Sequence, residues 1–491
     1  MPRYVCIHGH FYQPPRESPW TGKIENQPSA APFPNWNYRI NQECYDANSK
    51  SPILGADGTP VRYLNNYGFI SYNFGPTLLR WMDTYNPQTV KCLVEADKKS
   101  IERFGHGCAV AQVYHHAILP LCNEQDKHTE VAWGIADFEY RYKRKPQGIW
   151  LAETAADTAT LEVLASHGIQ FTILAPEQCK QTRPLGWKEW QKTEDTDTTQ
   201  PYLILLPSGK KITVFFYHGD LAQDVAFRGA LDNGEDFGKR IAKVARSHGE
   251  GRLTHYATDG ESYGHHHRYG DIALAYCLKS LVEEEDIYLT NYASYLAEHP
   301  AVMEAQIHEP SSWSCAHGVG RWSDNCGCVI DPRNAGKQQW RKVLREALNW
   351  LRDRFVEDYL QITSTLVKDP WLLRHGLYRA EMNNTVDQWL DTQAEKPLSA
   401  KQRTQIKERL EIQRQALQMF TSCGWFFDDP AGLEPVQILR YAAKAIALYK
   451  EASSIDLTEP FVSKLAAMRG LKPQYPTGTV IWEELIAPTV P

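Results

Sequence analysis

Two acidic residues stand at the ends of apolar runs that have the character of buried strands. The run 149–152 ends on Glu153, and the run 252–258 leads into Asp259-Gly-Glu-Ser-Tyr-Gly264. Parallel sheets and barrels carry their chemistry at the C-terminal ends of strands, so both carboxylates are candidates for catalysis. A retaining glycosidase needs two such groups, a nucleophile and an acid/base about 5–5.5 Å apart. The simpler alternatives are a carboxylate that offsets a helix dipole at Glu153 and a turn dipeptide at Asp259-Gly260.

Histidines suggest a second kind of site, because imidazole and carboxylate groups together can bind Zn²⁺. The candidate ligands are His8-Gly-His10, His115-His116, His265-His266-His267, Asp97 and Asp259. A His-x-His pair on a strand places both rings on one face, and the same arrangement can hydrogen-bond sugar hydroxyls. A metal hydrolase, such as a zinc-dependent α-mannosidase, therefore stays open beside the glycosidase.

Cys315-Ala-His317 and Cys326-Gly-Cys328 form another group of metal-binding residue types. Their C-x-C spacing departs from the C-x2-C spacing of zinc ribbons. We therefore expect thiols packed in a loop, with a structural zinc ion at these residues as the open alternative, and include no metal or other cofactor among the predicted site components.

Aromatic residues are numerous, with 15 Trp and 25 Tyr, and several stand in segments without periodicity. Trp313 and Trp322, nine residues apart, lie in a stretch rich in Gly, Ser and Cys. Flat indole faces at that spacing are suited to stacking on sugar rings, whereas core packing is the alternative.

Composition limits the classes of partner. The net charge of −6 over 491 residues offers no basic excess for nucleic acid or an anionic membrane. No apolar run approaches the roughly 20 residues of a membrane helix, and the N-terminus does not have the pattern of a signal peptide. Most of the 11 cysteines stand singly in apolar strings, which is typical of reduced thiols in the cytoplasm. We expect a cytoplasmic protein with no nucleic-acid or membrane partner; the oligomeric state is not indicated.

G-x-S-x-G, P-loop, G-x-G-x-x-G and H-E-x-x-H motifs do not occur, which argues against serine hydrolases and nucleotide-binding enzymes.

Alternating patterns of strand and helix position the candidate residues. Residues 158–166 have helical spacing, Gly168 ends that helix, and 169–174 has the pattern of a buried strand, so Glu153 ends the first strand of a β-α-β unit. Further strands are predicted over 202–206, 211–217 and 252–258, and further helices over 77–85, 240–247 and 272–284. This alternation predicts an α/β layer or barrel.

Two regions depart from that alternation. Residues 14–66 are rich in proline and almost without periodicity, which predicts a long loop insertion that acts as a lid or binds substrate. From about residue 334 the pattern is amphipathic and helical, over 340–355, 401–420 and 435–451. We predict a catalytic domain over 1–330 and a helical domain over 331–491.

Five stretches, in order, resemble the motifs of glycoside hydrolase family 57, which contains α-amylases, glucanotransferases and glucan-branching enzymes. They are His8-Gly-His-Phe-Tyr-Gln-Pro14, Tyr114-His-His-Ala-Ile-Leu-Pro120, Gly148-Ile-Trp-Leu-Ala-Glu153, Asp259-Gly-Glu-Ser-Tyr-Gly264 and Leu289-Thr-Asn-Tyr-Ala-Ser-Tyr-Leu296. The segment around Trp313 and Trp322 resembles a little-characterised, amylase-like subgroup of that family.

The resemblance implies an incomplete TIM-like (β/α)7 barrel followed by an all-α C-terminal domain. It implies a retaining α-glycoside hydrolase or transglycosylase that acts on α-1,4-glucans through a covalent intermediate, without a metal. Glu153 would be the nucleophile and Asp259 the acid/base. The implied substrate-binding residues are His8, His10, His116, Trp150, His265, Trp313 and Trp322.

One departure from the family pattern concerns the first motif. Phe11-Tyr12 separate His10 from Gln13, whereas the family has His directly before Gln-Pro, so the histidine that contacts the sugar stays open. The alternative functions are a zinc-dependent α-mannosidase or other metal hydrolase, and a glucan-binding protein without turnover.

Overall fold

The structure, a computed structural model, describes residues 2–192 and 195–491. The chain divides into two compact units. The barrel unit contains Met1–Gln13, Asn26–Gln112 and Arg141–Glu309; the helical unit contains Pro14–Glu25, Val113–Tyr140 and Pro310–Pro491. The predicted domain boundary at residue 330 stays a prediction.

The strands all belong to the barrel unit. They are β1 (Arg3–Phe11), β2 (Ser51–Leu54), β3 (Pro60–Leu64), β4 (Ser71–Phe74), β5 (Ala111–Gln112), β6 (Ile149–Trp150), β7 (Phe171–Leu174), β8 (Cys179–Pro184), β9 (Gln191–Lys192), β10 (Tyr202–Leu205), β11 (Lys211–Phe216), β12 (Leu253–Asp259), β13 (Ile287–Leu289) and β14 (Met303–Ile307).

Helices occur in both units. They are α1 (Trp36–Ile40), α2 (Asp46–Ser49), α3 (Pro76–Tyr85), α4 (Pro87–Phe104), α5 (Glu124–Tyr142), α6 (Thr158–Ser166), α7 (Gly219–Phe227), α8 (Gly234–His248), α9 (Gly270–Glu283), α10 (Tyr292–Glu298), α11 (Trp340–Thr363), α12 (Pro370–Met382), α13 (Val386–Gln393), α14 (Ala400–Gln418), α15 (Cys423–Phe426), α16 (Leu433–Ser453), α17 (Thr458–Leu465) and α18 (Gly478–Ile481). Over residues 2–192 and 195–491, no helix is both long and apolar enough to cross a membrane.

Strand β1 is the centre of the parallel sheet. It pairs in parallel with β12 along its length, with β13 near its start and with β4 near its end. Its residues from Val5 to Phe11 are all buried, as expected for a parallel strand covered on both faces. The positions at the ends of β1, β4 and β12 are therefore neighbours at one edge.

Short parallel strands continue the sheet beyond β4. A bridge from Tyr72 to Ala109 leads to β5, which pairs with β6. A second bridge, from Gly148 to Phe171, leads to β7, and β7 pairs in parallel with β11. The hydrogen-bonded ladder is interrupted at these bridges, so the strands follow the course of an incomplete TIM-like barrel without forming one closed sheet.

Helix α6 has the predicted bounds because its end signals are local. The side chain of Asp157 accepts a hydrogen bond from the backbone N–H of Thr160 and caps the first turn. Gly168 adopts a φ of 80° directly after the helix, a conformation that favours glycine. The strand that follows begins two residues later than predicted, at Phe171.

The predicted loop insertion over 14–66 contains regular structure. Within the barrel unit it forms α1, α2 and the antiparallel β2–β3 hairpin. Cys44 Sγ lies 3.3 Å from Gly260 O, and Asn48 Nδ2 donates to Tyr263 O at 2.7 Å. This part of the insertion therefore packs against the loop that follows Asp259.

The helical unit has its own apolar core. Tyr114 and Trp133 pack there with residues from α11, α12, α13 and α14, among them Tyr359 and Tyr378. The predicted helices over 340–355, 401–420 and 435–451 are present as α11, α14 and α16. Each of these helices was predicted because its amphipathic pattern repeats over several turns.

Candidate active site

Glu153 lies in a strained turn directly after β6. Its φ is 56° and its ψ is 23°, and the φ of Thr154 is 51°. The left-handed region is uncommon for residues other than glycine, and a residue there costs roughly 1–3 kcal/mol. Such strain persists where the surroundings impose it, and it concentrates at functional sites. The turn therefore has the backbone character of a functional position.

Gln178 fixes that turn from the next segment of the barrel. Its Oε1 accepts hydrogen bonds from Thr154 Oγ1 at 2.7 Å and from Ala175 N at 2.9 Å. Its Nε2 donates to Thr154 O at 2.9 Å, and the side chain is buried. The sequence analysis missed this residue, although it follows the end of the next strand.

Asp259 is the last residue of β12 and pairs in register with His10 of β1. Solvent reaches its side chain, yet the protein around the carboxyl removes enough water to raise its pKa to about 7. The negative charge of Glu153 raises this pKa further. A carboxyl group with a pKa near neutrality can both donate and accept a proton at working pH.

Glu261, two residues after Asp259, is a third carboxyl group in the same region, which the sequence analysis did not single out. It is buried, and its Oε1 accepts hydrogen bonds from Tyr12 N at 3.0 Å and Tyr45 Oη at 2.6 Å. Burial, and then the charge of Asp259, raises its pKa to about 8. The Asp-Gly-Glu spacing was the available signal, because both carboxyls follow one strand.

His8 has no exposed surface and is bonded within the barrel unit. Its Nδ1 lies 2.9 Å from Ser71 Oγ and its Nε2 lies 3.1 Å from Asn73 Oδ1. Its ring stacks on Trp150, which is also buried, with centroids 4.9 Å apart. Burial lowers its pKa to about 3, so the ring is neutral. His8 is thus better placed to orient Asn73 and Trp150 than to bond a sugar hydroxyl.

His10 lies closer to the candidate carboxylates. It is the register partner of Asp259, and its ring stacks on Trp150 with centroids 5.0 Å apart. Asn73 Nδ2 donates to His10 Nδ1 at 2.8 Å and to Gln112 Oε1 at 2.7 Å. A neutral His10 that accepts at Nδ1 carries its proton on Nε2, which makes Nε2 a donor. Asn73 and Gln112 were missed by the sequence analysis, although each stands at a strand end.

The other predicted binding residues lie in different surroundings. His265 Nδ1 contacts Glu43 Oε2 at 2.5 Å in the barrel unit, so it joins the insertion to the loop after Asp259. His116 belongs to the helical unit, where its Nδ1 lies 2.6 Å from Ser422 Oγ and burial lowers its pKa to about 3. Within the barrel unit the structure therefore brings His8, His10 and Trp150 together around Asn73, whereas His265 and His116 have other partners.

Trp313 and Trp322 also belong to the helical unit. Trp313 is half-buried, whereas Trp322 has no exposed surface. A fully buried indole packs against protein on both faces, so an open sugar platform does not fit Trp322 in this structure. Core packing, the alternative explanation for these aromatics, describes Trp322 better.

The predicted histidine site for zinc is not assembled. Within residues 2–192 and 195–491, its histidines and aspartates form no group of three with ligand atoms near one another. Asp97 is paired with Arg144 at 2.8 Å, and His115 Nδ1 contacts Glu130 Oε1 at 2.7 Å. These side chains are engaged in other contacts, which removes the geometric support for a metal hydrolase built on them.

Comparison with known families identifies the class of protein. The family model described as Glycosyl hydrolase family 57 matches residues 44–308, more than half of the chain. The chain therefore belongs to glycosyl hydrolase family 57, which confirms the resemblance seen in its motifs. A model described as Domain of unknown function (DUF3536) matches residues 337–491. Curated protein sequences give no match.

Solved structures show the same fold at low sequence identity. An exo-type maltose-forming amylase from Pyrococcus sp. ST04 is 15% identical with a TM-score of 0.65, over 98% of this chain and 88% of that one. A family 57 branching enzyme from Pyrococcus horikoshii is 14% identical with a TM-score of 0.60, over 100% and 97%. An α-amylase from Thermotoga maritima is 11% identical with a TM-score of 0.57, over 99% and 100%. These matches confirm the predicted fold class.

Proposed function

We propose that the protein is a retaining α-glycoside hydrolase or transglycosylase that acts on α-1,4-glucans. Membership of family 57 and the shared fold with amylases and a branching enzyme support this substrate class. One observation carries the assignment of the site: Glu153 follows strand β6, Asp259 ends strand β12, and the charge of Glu153 helps to raise the pKa of Asp259. That effect requires the two carboxyls to be near each other, as a retaining mechanism also requires.

In this proposal Glu153 attacks the anomeric carbon while the bond to the leaving sugar oxygen breaks. Asp259, protonated below about pH 7, donates its proton to that oxygen. In the second step Asp259 accepts a proton from water or from a sugar hydroxyl. The activated oxygen attacks the same carbon and releases Glu153, which preserves the configuration. No cofactor takes part in either step.

The remaining polar groups of the barrel unit have supporting roles in the proposal. His10 Nε2 donates to a sugar hydroxyl, and Asn73 fixes the orientation of the His10 ring. Glu261 and Gln178 are positioning residues for Asp259 and Glu153, respectively. His116, His265 and Trp313 stay predicted substrate contacts.

A mechanism-based glycosyl fluoride of a maltooligosaccharide tests the roles of the carboxylates. We expect mass spectrometry to find one sugar attached to Glu153, and no label in Glu153→Gln. Glu153→Gln and Asp259→Asn should fold normally and lose nearly all turnover, because a carboxamide can neither attack nor exchange a proton. Gln88→Ala, a surface substitution on α4, is a control that should be labelled like the unmodified protein.

Three outcomes would contradict the proposal. A label on Asp259 or Glu261 would reverse or replace the assigned nucleophile. Full turnover in Glu153→Gln would remove that residue from the chemistry. Calorimetric binding of maltooligosaccharides with neither label nor product would favour the alternative of a glucan-binding protein.

A further inference from the structure

Three cysteines and one histidine converge in the helical unit. In the sequence they are well separated from the candidate carboxylates Glu153 and Asp259. Cys315, His317, Cys326 and Cys328 place one ligand atom each within 4.8 Å of one another. Among the residues that the structure describes, no other group of three or more His, Cys, Asp and Glu side chains is so close. We propose that these four side chains bind one structural Zn²⁺ ion.

The distances between the ligand atoms match a tetrahedral zinc site. With Zn–S of about 2.3 Å and Zn–N of about 2.0–2.1 Å, a tetrahedron places two sulfurs about 3.8 Å apart, and a sulfur and a nitrogen about 3.6 Å apart. Cys315 Sγ lies 3.8 Å from Cys326 Sγ and 3.8 Å from Cys328 Sγ. Cys328 Sγ lies 3.6 Å from His317 Nδ1. Sulfurs in a disulfide would be about 2.05 Å apart, so the three cysteines are free thiols that are available as ligands.

Glycines allow the loop to bring the ligands together. Gly327, between two of the cysteines, has a φ of 89°, and Gly318, after His317, has a φ of 78°. A Cβ atom on Gly320 would lie 2.9 Å from Cys326 Cβ, so a side chain there would push the thiol outward. The loop thus uses glycine at the positions where its turns and its close approach require it.

Groups around the cluster suit bound thiolates. Arg341, which is fully buried, donates from Nη1 to Cys328 O at 2.7 Å. Three thiolates and one Zn²⁺ leave a net charge of −1, and a neighbouring guanidinium offsets that charge. Such outer contacts orient ligands at metal sites, whereas thiols that merely pack in an apolar loop do not need them.

The chemistry of the donors and their number indicate the ion and its role. Three thiolates with one imidazole are a frequent set for structural zinc, and four protein ligands leave no open position for catalysis. Binding releases one proton from each thiol and couples the ion to the folding of the loop. The spacing predicted packed thiols because C-x-C is unusual in zinc ribbons, but the geometry points to a site formed by two separate turns.

Metal analysis of the full chain tests this proposal. The protein is produced in zinc-supplemented medium, with any polyhistidine tag removed and no chelator present. Elemental analysis should find about one zinc per chain. Replacement of zinc by cobalt should give the visible bands of tetrahedral Co²⁺ with thiolate charge transfer.

Variants separate this site from other binding. Cys326→Ser with Cys328→Ser should reduce the zinc content at least tenfold, whereas Cys122→Ser, a thiol of the same unit outside the cluster, should leave it unchanged. His317→Ala should lower the zinc content and His317→Cys should restore it, since a fourth thiolate is an equally good ligand. If the double variant does not fold, titration of the unmodified protein with a mercurial should release zinc in step with thiol modification.

Several results would overturn the proposal. These are less than a tenth of a zinc ion per chain in the unmodified protein, iron in its place, or zinc that persists in the double variant or after thiol modification. A disulfide between Cys315 and either Cys326 or Cys328, found in non-reduced peptides, would also exclude the site.

Discussion

The raised pKa of Asp259 predicts a specific pH dependence of turnover. The first step needs Asp259 protonated, so kcat/KM for a maltooligosaccharide should fall as pH rises through about 7. With a single group of that pKa, the value at pH 8 is about one-eleventh of the plateau below pH 6, and it then falls tenfold per pH unit. The assay is initial rate at low substrate concentration across pH 5–9, because kcat/KM reports ionisations of the free enzyme.

Two controls identify the titrating group. A glycosyl fluoride releases fluoride without proton donation, so its kcat/KM should lose most of the fall above pH 7. Glu261→Gln removes the other raised carboxyl but neither cause of the Asp259 shift, which are burial and Glu153, so the fall should stay near pH 7. A flat oligosaccharide profile through pH 8, or equal falls for both substrates, would refute Asp259 as the acid. A fall that disappears in Glu261→Gln would assign the titration to Glu261.

Two further predictions concern stability. Glu261→Gln should raise the melting temperature more at pH 8 than at pH 5. Because the pKa of Glu261 is raised in the folded state, ionisation of this carboxyl destabilises the folded protein as pH rises from the ordinary carboxyl pKa through about 8, and Gln keeps the acceptor for Tyr45 without that charge. An equal change in melting temperature at both pH values would contradict the pKa shift. Trp322→Ala should lower the free energy of unfolding by about 3–5 kcal/mol in denaturant titrations, because the side chain is fully buried. Trp313→Ala should lower it less. Unchanged stability of Trp322→Ala together with weakened glucan turnover would instead support Trp322 as a sugar platform.

Local signals account for the parts of the fold that the sequence predicted well. Helix α6 has a capping aspartate before it and a glycine after it, and both act on neighbouring residues. Long amphipathic helices such as α11 repeat their pattern over several turns. The insertion between residues 14 and 66 was predicted without regular structure because its two strands are four or five residues long and its helix is irregular. Helices α1 and α2 are joined by a π-helical segment, Asn41–Tyr45, which interrupts the 3.6-residue repeat.

The roles within the site depend on contacts that local patterns do not contain. The sequence placed Glu153 and Asp259 at strand ends, and the structure agrees with those positions. It did not show that Ser71 and Asn73 engage both nitrogens of His8, because those partners come from another strand. The four side chains of the proposed zinc site come from two separate turns, and glycine conformations bring these turns together. A spacing rule that describes the cysteines of a single turn does not predict such a site.

The short strands of the barrel explain why polar side chains are buried beside the candidate carboxylates. Strands β5 and β6 are two residues each, and single bridges join several neighbours, so backbone pairing alone fixes their ends weakly. Asn73 links β1 to β5 through His10 and Gln112, and Trp150 of β6 stacks on His10. Buried, bonded side chains therefore supply the rigidity that a continuous ladder would give. His10 is the register partner of Asp259, and Trp150 precedes Glu153 by three residues on the same segment. The network that fixes these strand ends therefore also fixes the backbone from which both carboxylates extend.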